Sequence, residues 1–191
     1  MAGSMLAAIH FGDDQDIDKL LEAFVSTRLA SGLRICGVLQ SRSGAKGECY
    51  CSDMDLKAIG TGKVFRISQP LGSGSSGCRL HPGAMAECSA YLDQHIQEGC
   101  DLLVLNRFGK GESQGQGFRD LISTALMAGI PVLTATRENY RKDWQIFAGD
   151  LGIELPFDQT SVSSWFAGLE HEDAASTLAP QKNLSINSAT L

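Results

Sequence analysis

Residues 101–119 read DLLVLNRFGKGESQGQGFR. Four apolar residues, Leu102 to Leu105, run straight into a charged, glycine-rich loop, and the loop feeds a helical pattern. A short, wholly apolar run bounded by turn residues reads as a strand covered on both faces, as the central strands of parallel sheets are. In open α/β sheets, ligands sit just past the carboxyl ends of such strands. Asn106, Arg107, Lys110 and Glu112 occupy that place, and Arg119 lies in the first turns of the helix beyond.

Outward from this stretch, apolar runs alternate with helical patterns. That alternation predicts an α/β fold with a mostly parallel sheet flanked by helices. Residues 6–11 read as the first strand. Ile17, Leu20, Leu21, Phe24, Val25 and Leu29 recur at helical spacing, with Gly32 as the stop. A second strand follows over 34–40, then a polar turn over 41–47. Residues 48–56 and 63–68 predict a small antiparallel hairpin insertion turning at Gly60-Thr61-Gly62. Helices are predicted over 82–97, 117–128 and 139–148, the last with Trp144 and Phe147 inward. A strand is predicted over 131–136 and a short helix over 161–168. Residues 5–168 form one α/β domain in this reading. Residues 1–4, ahead of a second Met5, read as a remnant of expression, and 169–191 as a flexible C-terminal tail poor in apolar anchors.

The chain has 191 residues, 43% hydrophobic and 20% charged, the composition of a soluble globular domain. A net charge of −6 argues against a general nucleic-acid binder. No apolar run approaches the roughly 20 residues that cross a bilayer, and no secretory signal is visible. The expectation is a cytoplasmic protein without a membrane partner, able to form a homo-oligomer through the hairpin strands. Six cysteines then read as reduced thiols, with Cys36, Cys88 and Cys100 in core settings.

A phosphate loop requires G-x-x-x-x-G-K-[ST] between a strand and a helix. Two Gly-Lys pairs exist. Their first glycine would fall on Lys57 or Val104, and neither pair is followed by Ser or Thr. After the first strand, where such a loop belongs, stand Asp13, Asp14, Asp16 and Asp18. Carboxylates suit the positive end of a helix dipole, and they repel a triphosphate. Their spacing does not match a calcium-binding EF-hand loop.

With these pieces in order, the chain resembles an uncharacterised bacterial domain family allied to P-loop nucleoside-triphosphatases. Carrying segments are Cys51-Ser52-Asp53-Met54-Asp55-Leu56, Gly77-Cys78-Arg79-Leu80, Asn106-Arg107-Phe108-Gly109-Lys110 with Glu112, and Gly129-Ile130-Pro131-Val132-Leu133. The resemblance implies a P-loop-NTPase-like fold whose phosphate loop has degenerated. The magnesium-associated Asp of the allied enzymes falls on Asn106, their catalytic Glu on Arg107, and a later Glu on Glu112. An amide lacks a carboxylate's charge, and Arg cannot act as a general base near neutral pH. Where the family reads Gly-Cys-Arg-Leu-Asp, this chain has His81 in the last place, as a helix cap or a ligand-binding group. Relatives are often encoded near molybdate-uptake functions, so the resemblance also implies an oxyanion such as molybdate.

The remaining chemistry is anionic or thiophilic. Gly72 to Gly77 formally matches G-x-G-x-x-G, yet the next strand ends in Asn106 where a ribose-binding acid would stand. Ser73, Ser75, Ser76, Gly77 and Arg79 read either as a plain glycine-serine loop or as an anion-binding one. Arg107, Lys110 and Arg119 add positive charge, and Glu112 is expected to pair with Lys110 or an arginine. Cys49 and Cys51 lie on one face of a strand and with Cys78 are candidate ligands for a soft metal. Binding of a small anionic ligand, a nucleotide or a molybdate-like oxyanion, without efficient NTP hydrolysis is the leading reading. The alternatives are a divergent nucleoside-triphosphatase or phosphotransferase using Lys110 and Glu112, and a thiol-based metal-binding protein.

Overall fold

The computed structural model describes residues 3–42, 54–70 and 78–177. In chain order the elements are β1 (Leu6–Phe11), α1 (Ile17–Ala30), β2 (Ile35–Arg42), β3 (Met54–Ala58), β4 (Val64–Arg66), β5 (Ser68–Pro70), β6 (Cys78–Leu80) and α2 (Pro82–Glu98). Then follow β7 (Leu102–Leu105), α3 (Lys110–Ser113), α4 (Arg119–Met127), β8 (Val132–Arg137), α5 (Glu138–Ala148), a 3-10 turn (Gly149–Leu151), β9 (Gly152–Leu155) and α6 (Gln159–Thr177).

Seven strands form one sheet in the order β4-β3-β2-β7-β8-β1-β9. The five from β2 to β9 run parallel. A hairpin of β3 and β4 is present where one is expected, and it continues the main sheet antiparallel to β2; residues 48–53 of the expected first strand lie outside the described residues. The four residues of β7 are all buried, as the apolar run predicts for a strand with neighbours on both sides and helices above and below. Gly37 sits where β2 passes β7. Its φ is +133°, and a Cβ there would lie 1.9 Å from the carbonyl oxygen of Val104, so only glycine fits.

Alternation along the strands divides the core into two layers. Leu6, Ala8, Leu103, Leu105 and Val132 pack with α2, α4 and α5. Ala7, Ile9, Phe11, Val104 and Leu133 pack with α1 and α6. Trp144 and Phe108 are each 1% exposed and meet edge to face at 5.4 Å. Burial of each such ring stabilises by about 1.5–3 kcal/mol.

Several boundaries differ from the sequence reading. Residues 41 and 42 continue β2, where a polar turn is expected. The last helix runs to Thr177, so 169–177 are helical where the composition suggests a flexible tail. Leu169 is buried among Val162, Trp165 and Phe166 against α1, which holds the start of that extension. Ser4, which the sequence places outside the domain, is tied into it: its carbonyl accepts the Trp165 indole N–H at 2.7 Å. Leu29, expected on the apolar face of α1, is among the exposed large hydrophobics. No helix among the described residues is long and apolar enough to cross a membrane.

Candidate functional site

Chain direction marks the edge where a crevice is expected. From β1 the chain turns to α1 on one face of the sheet, while from the adjacent β8 it turns to α5 on the other. Loops that diverge in this way open a cleft at the carboxyl ends of the two strands, the place where ligands bind in open α/β sheets.

One wall is the turn from β1 into α1. The Gly12 N–H donates to Gln15 Oε1 at 2.8 Å, closing the turn. Asp16 caps α1, its side chain accepting the Lys19 N–H at 3.3 Å, which satisfies one of the helix's free donors. Asp18 follows two residues on, and its carboxylate meets Asn106 and Arg107 just past β7.

There Asn106 is 5% exposed. Its Oδ1 accepts the Gln40 N–H at 3.0 Å, and its Nδ2 donates to Asp18 Oδ1 at 3.2 Å. Arg107 Nη2 donates to both Asp18 carboxylate oxygens, at 3.0 and 3.1 Å, while Nη1 donates to Gln40 Oε1. The guanidinium stands 5.7 Å from the centroid of the Phe11 ring. Arg107 is therefore engaged by Asp18 within the fold, and Asn106 with it.

Glu112 pairs with backbone amides, not with Lys110 or an arginine. It is 7% exposed. Oε2 accepts the Gly109 N–H at 2.9 Å and Oε1 the Phe118 N–H at 3.0 Å. A Cβ at Gly117, where φ is +65°, would come within 2.1 Å of Oε1. The glycines of this loop let the backbone close around a carboxylate of its own. Lys110 is exposed at the start of α3. Arg119 lies with its guanidinium 4.6 Å from the Phe147 centroid and donates to the Glu112 carbonyl at 3.3 Å. Those contacts explain a cation early in a helix, where the dipole disfavours it.

The third loop leaves β8. Arg137 donates to Asp13 Oδ1 at 2.7 Å and stands 5.3 Å from the same Phe11 ring. Beside it, His10 Nε2 meets Glu138 Oε2 at 2.9 Å. Sequence reasoning did not single out Arg137 or His10. The available signal is topological: Arg137 ends its strand one place along the sheet from Asn106.

Asn106 and Arg107 thus meet Asp18, while Lys110, Glu112 and Arg119 belong to the adjoining α3–α4 loop. Cys49, Cys51, Ser73, Ser75, Ser76 and Gly77 lie outside the described residues, and Cys78 and Arg79 are described as backbone of β6 only. His81 caps α2, its Nδ1 accepting the Ala84 N–H at 3.0 Å. Among the described residues no group of three or more His, Cys, Asp or Glu is placed to hold a metal ion. Cys36, Cys88 and Cys100 are buried, and burial pushes the Cys88 thiol up to about 12, which keeps it protonated and unreactive near neutral pH.

The architecture is that of a P-loop nucleoside triphosphatase, with an acidic turn where the phosphate loop would be. In fold it is similar to the solution structure of a human cancer-related nucleoside triphosphatase, with a TM-score of 0.57 over 92% of this chain and 99% of that one. Identity there is 11%, so the likeness is one of fold. The chain belongs to a family described as "protein of unknown function (DUF2478)", whose model matches residues 6–165. It is also 35% identical over 161 residues to the molybdenum import ATP-binding protein ModC 2 of Bradyrhizobium diazoefficiens. The match takes in 84% of this chain and 18% of that protein, so the chain spans less than a fifth of the curated relative's length.

Proposed function

We propose that this chain is a non-hydrolysing anion-binding member of the P-loop-like fold, taking a nucleotide or an oxyanion such as molybdate at the carboxyl edge of β7, β8 and β1. The observation that carries this reading is the Asp18–Asn106–Arg107 cluster. The positions that the resemblance assigns to a metal-associated acid and a catalytic base hold an amide and a guanidinium. Arg107 supplies beside Asp18 a fixed positive charge that a bound cation would otherwise bring. Neither side chain removes a proton from water near neutral pH, and both Glu112 oxygens are taken by backbone N–H groups. Basic side chains at the strand ends remain suited to attracting an anion. The relative's printed role in molybdenum import supports molybdate as the first oxyanion to try, and a place for this chain beside an import ATPase.

Isothermal titration of the full chain with molybdate, tungstate, phosphate, ATP and GTP tests the proposal. Saturable heat with at least one is expected, and no heat with any of them overturns it. Phosphate release from ATP with Mg²⁺ is expected to stay at background. A rate above background that Lys110→Ala abolishes would overturn the non-hydrolysing part.

A further inference from the structure

Two guanidinium groups lean on one ring. Arg107 from the end of β7 and Arg137 from the end of β8 stand 5.7 and 5.3 Å from the centroid of Phe11, which closes β1 and is 1% exposed. Each meets an aspartate that follows β1, and the two meetings differ. Arg107 grips Asp18 through two hydrogen bonds, with side chains 29% and 14% exposed. Arg137 touches Asp13 through Oδ1, with side chains 45% and 92% exposed. The first pair is part of the wall. The second is an ion pair in water, and such pairs shift an equilibrium by less than about fivefold.

We propose that Asp13 is an internal stand-in for the ligand: its carboxylate holds Arg137 until a small tetrahedral oxyanion takes its place. The inference rests on the anion-binding reading above. A guanidinium offers a planar fork of donors to a pair of oxygens, and a carboxylate and one edge of a tetrahedral oxyanion present the same pair. Phe11 backs the fork, so the donors keep their direction when Asp13 leaves. Asp13 lies in the turn before α1, not within the helix, so its side chain can swing into solvent without breaking helical hydrogen bonds. Asp14 and Asp16 follow in the same turn, and their charge disfavours an extended polyphosphate. A dianion replacing one carboxylate adds a single negative charge.

The test is titration of the full chain and of Asp13→Asn, Asp14→Asn and Arg137→Gln with molybdate, sulfate, phosphate and ATP, after circular dichroism has checked the fold of each. Asp14→Asn removes the same charge one residue on and so reports the effect of charge alone. Asp13→Asn is expected to bind an oxyanion about threefold more tightly than Asp14→Asn does, and Arg137→Gln to lose detectable binding. In carbon-detected NMR, saturating oxyanion is expected to move the Asp13 carboxyl resonance to that of a solvated aspartate. Equal tightening by the two asparagine variants, or wild-type affinity in Arg137→Gln, overturns the stand-in while leaving anion binding in place. If neither the wild type nor Asp13→Asn binds any of the four probes, the stand-in falls, and if tungstate and GTP also give no heat, the anion-binding reading falls with it.

Discussion

The turn after β1 and the loop after β7 are built alike and charged oppositely. Each leaves the carboxyl end of a parallel strand and enters a helix. The first carries Asp13, Asp14, Asp16 and Asp18, while the second carries Arg107, Lys110 and Arg119. In this structure they answer each other, through Arg107 and Asp18 at 3.0 Å. Opposite charges stand on the two loops, and the Arg107–Asp18 pair joins them.

That contrast can be broken hardest from inside the β7 loop. Glu112→Ala would leave the half-buried Gly109 and the buried Phe118 N–H groups without their acceptor. A loss of about 3 kcal/mol is expected in urea unfolding, and a loss below about 1 kcal/mol would show that water replaces the carboxylate. Arg107→Ala comes next, at about 2 kcal/mol, because Asp18 loses a charge-assisted partner in a largely enclosed place. Adding Asp18→Asn should restore part of that loss, with a coupling of about 1 kcal/mol in the double-mutant cycle. Additive losses would mean that the two loops are independent. Asp13→Asn is expected to change stability by less than about 1 kcal/mol, since its pair with Arg137 is exposed.

The smallest effect lies away from the crevice. Hydrogen bonds from Arg34 hold the Asp101 carboxyl below the usual carboxylate range, and hydrogen bonds from Arg141 do the same for Glu154. Stability from a depressed carboxylate is fully present above its ordinary value of about 4 and is lost as pH falls through the lowered one. Unfolding experiments should therefore show a decline in stability below about pH 4 that becomes shallower in Arg34→Gln. An unchanged slope would remove Asp101 from the account.

The central strands and the main helices were legible because their signals are local. Leu102 to Leu105 could hardly be anything but a buried strand, and Trp144 falls inward at helical spacing. β9 was missed because an edge strand needs apolar residues on one face only, and Leu155 alone of its four residues is buried. α3 was missed because four residues with a glycine among them carry no period. The site was legible as a location, not as an arrangement. Asn106 and Arg107 could be named from their place after a strand, yet their partner Asp18 lies 88 and 89 residues away. A carboxylate's choice between a lysine nearby in sequence and two backbone N–H groups, the choice made at Glu112, depends on how a loop closes. Composition does not encode that.

Although β8 lies between β1 and β7, Asp18 in the first turn of α1 comes close enough to the end of β7 to meet both Asn106 and Arg107. Asn106 reaches one of its oxygens, while the flat head of Arg107 spans both and with its other amino group joins Gln40 of β2. The shape of that head then matters as much as its charge. Arg107→Lys would keep the sign yet trade the flat head for a single ammonium, and the gap would be held at one point where it is now held at several.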